Sequence, residues 1–151
     1  MIQRAAQQSE ACQRLDAIPG IGPLTATALI AAIGNGGAFR KGREFAVWLG
    51  LVPREHSTGG KQKLLGISKR GNCYLRKLFV QGARAVLQFR DKQSPGLRKW
   101  LEELSARTHY NVVGVALANK LARMAWAVLA SGDIYRPPVL ADTTGLQMAP
   151  V

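Results

Sequence analysis

The chain has 151 residues, with 21 Lys and Arg against 9 Asp and Glu, so its formal net charge is +12. Its 47% hydrophobic residues are enough for a core, which excludes wholesale disorder, and the length fits one domain with trailing segments. So large a positive excess indicates a polyanionic partner, with nucleic acid the leading candidate. The N-terminus has no apolar signal segment, and the two cysteines have no metal or disulfide spacing, so we expect a cytoplasmic protein.

The predicted elements are almost entirely helical, and the chain begins with residues 1–16, whose composition is that of the end of a longer helix. The longest apolar stretch, residues 112–130, is interrupted by polar residues and predicts a buried core helix rather than a membrane span. Residues 54–70 predict a loop or a short hairpin. Capping residues and apolar spacing predict helices over residues 24–33, 45–52, 72–89, 95–104 and 111–131. Asn72 and Ser94 are predicted N-caps, and Gly132 is predicted to end the last helix. Phe89 is predicted to lie on the apolar face of its helix.

The positive charge is concentrated in one part of this pattern. Nine basic residues and one acidic residue lie between Pro53 and Arg90, a local balance of +8. Such a run is often only a solvated face. Here it is interleaved with Gly, Ser and Thr, which let a backbone approach an anion, so phosphate contacts are favoured.

Residues 15–30 resemble a helix-hairpin-helix motif. Gly20 and Gly22 permit a tight turn around Ile21, and Pro23 begins the next helix. The amino end of that helix would bind a phosphate oxygen without reading bases. The alternative is an ordinary packing corner between two helices.

A second motif runs through residues 56–63. The hydroxyl of Ser57 precedes two glycines and is therefore sterically open, and neighbouring cations would stabilise charge on an attacked phosphodiester. This arrangement suits a serine nucleophile that acts on DNA. The alternative is a phosphate-binding nest without chemistry, and His56 does not form a catalytic triad merely by adjacency.

Four stretches occur in a specific order: Ile18-Pro19-Gly20-Ile21-Gly22, Leu49-Gly50-Leu51-Val52-Pro53, Ser57-Thr58-Gly59-Gly60-Lys61 and residues 66–76. In this combination the chain resembles the C-terminal domain of the IS110, IS116 and IS902 insertion-sequence transposases, over residues 15–135. The resemblance implies a DNA recombinase domain that supplies a serine nucleophile, whereas an N-terminal RuvC-like domain carries a DEDD set of metal-binding carboxylates. Some members are guided by a bridging RNA.

The resemblance also implies roles for residues and partners. It places the nucleophile at Ser57, with Thr58 as the alternate register, and it implies DNA as partner, a guide RNA in some members, and a homo-oligomer for the full-length protein. The interrupted apolar stretch predicts no membrane partner. Together with the Gly-Ile-Gly turn and the basic Gly-rich segment, this predicts 12 catalytic and DNA-binding residues: Ser57 and Thr58, with Gly20, Ile21, Gly22, Gly59, Gly60, Lys61, Lys63, Lys69, Arg70 and Arg76.

The expected architecture is an all-α domain with a helix-hairpin-helix-like element and a basic Gly-rich loop. Residues 1–16 are expected to be a linker-helix remnant, 17–135 the transposase C-terminal domain and 136–151 a loose tail. The 9 acidic residues are scattered, so no metal site is expected in this chain and Mg²⁺ only with a RuvC-like domain. We therefore expect a fragment that binds nucleic acid but is inactive alone. The alternative function is a non-enzymatic helix-hairpin-helix module; a membrane-surface role for residues 72–90 has no specific motif.

Overall fold

The computed structural model describes residues 1–58, 61–67 and 71–137, and for the two strands it describes the backbone alone. Helices dominate these residues, which confirms the predicted helical class, and a single antiparallel hairpin lies within residues 53–67. Of the two alternatives for residues 54–70, the short hairpin is therefore present. The elements are α1 Ile2–Gln8, α2 Glu10–Asp16, α3 Pro23–Ile33, α4 Gly42–Trp48, β1 Pro53–Thr58, β2 Lys61–Ile67, α5 Cys73–Gln88, α6 Pro95–Ser105 and α7 Tyr110–Ser131.

Helix α7 is the centre of the core. Leu117 and Leu121 on this helix are fully buried, and α2, α4, α5 and α6 all pack against it. By length and composition α7 is apolar enough to cross a membrane, but its apolar side chains are accounted for here by core packing. It ends at Gly132, whose left-handed φ of 68° matches the predicted stop.

Helix α5 begins where the sequence predicts. The Asn72 side-chain oxygen accepts a hydrogen bond from the Leu75 backbone N–H at 3.0 Å, which confirms the N-cap. Phe79 and Val86 are buried, as the apolar spacing predicts. The inward placement of Phe89 is wrong, because the helix ends at Gln88 and Phe89 leaves helical geometry, so its ring is 50% exposed.

The N-terminal residues form two short helices rather than the end of one long helix. Ser9 interrupts them with extended backbone angles, and its hydroxyl caps α2 by accepting from the Cys12 backbone N–H at 3.3 Å. Cys12 and Leu15 are buried, and α1 and α2 both pack on α3, so this segment shares the core of the domain. Its origin as a linker remnant stays a prediction, and residues 138–151 of the predicted tail lie outside the described residues.

Both helices predicted to start with proline do so. Pro23 and Pro95 occupy the first turns of α3 and α6, where a missing N–H costs nothing. Ser94 is the N-cap residue of α6, as predicted, but its side chain makes no capping bond. Its hydroxyl is buried without a hydrogen-bond partner among the described residues.

Candidate nucleic-acid interface

The predicted nucleophile positions lie at the end of β1. In the register of β1 and β2, Ser57 is paired with Gln62 and Thr58 with Lys61. Thr58 is the last residue of β1 and Lys61 the first of β2, so Ser57 is the next-to-last residue of its strand. Gly59, Gly60, Lys69 and Arg70 from the predicted set lie outside the described residues.

The same register separates the two possible nucleophiles. Residues directly opposite each other in an antiparallel pair share a face, and consecutive residues of a strand belong to opposite faces. His56 is paired with Lys63, and Thr58 with Lys61. Lys61 and Lys63 therefore lie on the face of Thr58, and Ser57 lies on the other face. The sequence alone had grouped both lysines with Ser57.

The chain enters the hairpin through a segment that is held in place by other elements. Leu49 and Leu51 are fully buried after α4, and Leu51 donates its backbone N–H to the carbonyl of Ala46 at 3.1 Å. The side-chain amide of Asn119, from the middle of α7, donates to the Leu51 carbonyl at 3.3 Å. The base of β1 is thereby tied to the core helix only two residues before the strand begins.

After the hairpin, the chain packs against the end of α4 and the residues that follow it. Gly71 has a φ of +86°, and a Cβ added there would overlap the Trp48 carbonyl oxygen, so only glycine fits. One turn into α5, Arg76 donates from its guanidinium to the Leu49 carbonyl at 3.2 Å. Arg76, predicted to bind DNA, thus joins the exit of the hairpin to its entry. A contact with DNA stays a prediction for this residue.

The turn at Gly20, Ile21 and Gly22 connects α2 to α3, but its three residues have different surroundings. Gly20 has a φ of +82° and packs against the backbone of Gly82 in α5, where an added Cβ would lie 2.8 Å from the Gly82 oxygen. Ile21 is buried in the core. Gly22, the N-cap of α3, has no atom within 4 Å of the position of a Cβ, so it is the sterically open member. The helix-hairpin-helix role stays a prediction.

Lys120 is a half-buried cation whose aromatic contact the sequence did not reveal. Lys120 of α7 lies with its ammonium 4.8 Å from the centre of the Trp100 ring in α6. Partial burial, and to a smaller extent the nearby Arg123, lower the pKa of Lys120 below 10.5. Detecting this pair required the packing of α6 on α7, because the residues are far apart in the chain.

The part of the chain that the structure describes contains no group of three His, Cys, Asp or Glu side chains that could hold a metal ion. Both cysteines are free, Cys12 buried and Cys73 exposed.

Comparison with known proteins places the chain among transposases. The model of the family described as "Transposase IS116/IS110/IS902 family" matches residues 12–97, more than half of the chain. This match includes the turn at Gly20, the hairpin and α5.

Three similar proteins come from different bacteria. A probable family 20 transposase of Pseudomonas aeruginosa is 54% identical over 125 residues, covering 83% of this chain and 37% of that protein. The transposase for insertion sequence element IS1328 of Yersinia enterocolitica is 49% identical, over 83% of this chain and 38% of that protein. A pilin gene-inverting protein of Moraxella bovis is 32% identical, over 76% and 35%.

The chain thus spans little more than a third of the length of these relatives. On the family match over more than half of its residues, the chain belongs to the IS116/IS110/IS902 family of insertion-sequence transposases.

Proposed function

We propose that this chain is the DNA-binding, serine-bearing domain of its transposase, and that Ser57 attacks a DNA phosphate during transposition. The observation that carries the proposal is the mounting of the hairpin. Ser57 lies one residue from the end of β1, and the segment that leads into β1 is joined to the helical core, because its Leu49 and Leu51 carbonyls accept hydrogen bonds from Arg76 and Asn119. A nucleophile needs such fixed positioning, because misplacement by about 1 Å can cost on the order of a hundredfold in rate.

The proposed step is a transesterification. A bond forms between the serine Oγ and phosphorus, and the bond from phosphorus to one sugar oxygen breaks. The serine loses its proton, and the leaving sugar oxygen gains one. The DNA strand is thereby opened without hydrolysis, and the phosphoserine bond retains the phosphoester that strand joining later restores.

The register bears on the choice between Ser57 and Thr58. Lys61 and Lys63 share a face with Thr58, so these lysines support charge at a phosphate on that face. If Ser57 is the nucleophile, the cations that stabilise its phosphate come from elsewhere. The proposal assigns the attack to Ser57 and gives Lys61 and Lys63 the binding of the adjoining DNA backbone.

Several partners belong to the same proposal. A RuvC-like domain with its DEDD carboxylates would supply Mg²⁺, and a guide RNA and a homo-oligomer would complete the active assembly in the cytoplasm. The support for these partners is the family membership of the chain and its basic balance. On this account the chain by itself binds DNA and does not recombine it.

A suicide DNA substrate tests the serine step. Full-length protein that carries this domain is incubated with a nicked substrate that traps the covalent intermediate, and the modified peptide is identified by mass spectrometry. We expect the adduct on Ser57, its loss in Ser57→Ala and its retention in Thr58→Ala. Loss in Thr58→Ala with retention in Ser57→Ala would move the nucleophile to Thr58.

The alternative function, a non-enzymatic binding module, is favoured by one observation. Gly22 leaves the amino end of α3 sterically open, which suits a backbone contact with phosphate. This function predicts duplex binding that weakens steeply with salt and no covalent adduct in any variant. Absence of the adduct in active wild-type protein, with duplex binding retained, would favour it over the serine mechanism.

A further inference from the structure

The exposed side of α5 carries a row of polar and basic residues that have no role in the proposed serine step at the hairpin. Lys77, Gln81, Arg84 and Gln88 are spaced by three or four residues, and all are exposed. The opposite side of the same helix is buried through Leu75, Phe79 and Val86. The row therefore runs along one solvent-facing side toward the carboxyl end of the helix.

At that end, residues of the row line a groove of about 740 Å³. The groove lies between the last turns of α5, the following 3-10 turn Arg90–Lys92 and the start of α7. Its lining includes two guanidiniums, two amides and one phenol ring, from Arg84, Arg90, Gln81, Gln88 and Tyr110. The Tyr110 side chain is 55% exposed at this groove.

The two arginines are available for a ligand. Among the described residues, the ion pairs are Lys99 with Glu103 and Arg136 with Asp133, so neither Arg84 nor Arg90 is neutralised by one. Asp91 also lines the groove, and its backbone carbonyl accepts a bond from the Arg98 guanidinium at 3.4 Å. One carboxylate faces two guanidiniums, so the groove has a positive balance.

We propose that this groove binds a single-stranded segment of nucleic acid, with an unpaired base stacked on Tyr110 and the backbone phosphates on Arg84 and Arg90. An aromatic ring in a basic groove is the usual platform for an unpaired base, whereas the bases of a duplex are already stacked on one another. The amides of Gln81 and Gln88 can donate to and accept from the edge of that base. DNA and RNA strands share this chemistry.

The groove is separate from the proposed site of strand attack. Helix α5 extends from Cys73, next to the exit of the hairpin, to Gln88 at the groove, about 22 Å at 1.5 Å per residue. The inference therefore goes beyond the proposed function, which places the attacked DNA strand at the hairpin. It gives the domain a second contact for a strand that is displaced from a duplex or belongs to an RNA.

Binding of labelled oligonucleotides by the 151-residue chain tests the proposal. The probes are single strands of DNA and of RNA of about 12 nucleotides and a duplex of the same sequence. Tyr110→Ala is expected to weaken binding of the single strands about tenfold and to leave duplex affinity unchanged, because stacking on one ring is lost. Tyr110→Phe keeps the ring and is expected to bind as wild type.

A fluorescent base analogue reports the stacking itself. The emission of 2-aminopurine within the single strand should be quenched on binding to wild type and to Tyr110→Phe, but not to Tyr110→Ala. The stronger of the two single strands, DNA or RNA, identifies the source of the ligand. Circular dichroism checks that each variant is folded.

The salt dependence tests the phosphate contacts. The double variant Arg84→Ala/Arg90→Ala should reduce the slope of log K against log salt by about 1.4, because each phosphate contact on a single strand contributes about 0.7. Arg43→Ala is the matched control. Arg43 follows Gly42, which packs on Arg123, about 20 Å along α7 from Tyr110.

Three results would overturn the proposal: no binding of single strands by wild type, equal weakening by Tyr110→Ala and Tyr110→Phe, or a slope change in Arg43→Ala as large as in the double variant. Failure of the proposed function is distinguishable from these. Tyr110→Ala in the full-length protein should still form the covalent adduct at Ser57, whereas loss of that adduct in Ser57→Ala leaves the groove intact.

Discussion

The two ends of α5 carry the same kind of charge and use it differently. At the amino end, Arg76 donates to the carbonyl of Leu49 and joins α5 to the segment that leads into the hairpin. At the carboxyl end, Arg84 and Arg90 line an open groove, and neither forms an ion pair among the described residues. Both ends belong to the segment in which the local charge balance is +8.

The difference shows that a basic run is not a single surface. An arginine that bonds a backbone carbonyl inside the fold contributes to stability, and its loss leaves that carbonyl without its partner. An arginine exposed in a groove contributes little to stability and is available to an anion. Substitutions along α5 should therefore differ in effect, with the largest losses of stability at its anchored end.

The largest effect is expected at Gly71, immediately before α5. Gly71→Ala places a Cβ on the Trp48 carbonyl oxygen at a φ of +86°, so the entry and exit of the hairpin cannot keep their positions. We expect the free energy of unfolding to fall by about 3 kcal/mol or more. Urea unfolding measures it, and a loss under about 1 kcal/mol would show that the anchored end is less constrained than the backbone indicates.

The middle of α5 should respond nearly as strongly. Gly82→Ala introduces a Cβ against the backbone of Gly20, and we expect a loss of about 2 kcal/mol although alanine favours helices. Gly114→Ala in α7 is the matched control. Its Cβ would meet only the Leu87 side chain at 3.8 Å, so a gain of about 0.5–1 kcal/mol is expected. Equal changes in stability in the two variants would contradict the conclusion that Gly82 is required for close packing against the Gly20 turn.

The smallest effect concerns Lys120, a half-buried cation that lies over the Trp100 ring. Burial lowers the pKa of Lys120, so between that lowered value and 10.5 the unfolded chain binds more protons than the folded one. Stability gained from this residue therefore rises with pH in that range, and at neutral pH its burial opposes folding.

Thermal unfolding of wild type and Lys120→Met checks that sign. The difference in Tm should shift in favour of wild type as pH rises from 8 toward 10.5. Tyr135, whose pKa is raised by burial, is present in both proteins and cancels in the difference. A difference that stays flat or shifts the other way contradicts the assignment.

The ends of the helices were predictable where a local residue sets them. Pro23, Asn72 and Gly132 act through their own backbone or side chain on the adjacent turn, and the structure places them as predicted. Ser9 acts in the same local way, but its capping bond was hidden within a segment of helical composition. Phe89 was misplaced because apolar spacing predicts which side of a helix is buried but does not show where the helix ends.

The candidate site was less predictable because its contacts join distant parts of the chain. The contact of Gly20 with Gly82, and the placement of Tyr110 and Arg84 around one groove, depend on how α5 packs against α3 and α7. The Gly-x-Gly pattern alone indicated a phosphate turn, whereas the fold also uses Gly20 for close backbone packing. The face shared by Lys61 and Thr58 likewise follows only from the strand register.

The division of α5 into an anchored end and an open end is tested most directly by urea unfolding of Arg76→Ala and Arg84→Ala, each with and without a saturating single-stranded oligonucleotide. Without ligand, Arg76→Ala should lose about 1 kcal/mol and Arg84→Ala less than about 0.5 kcal/mol. With ligand, wild type and Arg76→Ala should gain equal stability and Arg84→Ala clearly less, because a ligand stabilises by its affinity for the folded state. The reverse pattern, in which Arg84→Ala is destabilised and Arg76→Ala loses the gain from ligand, would contradict the account.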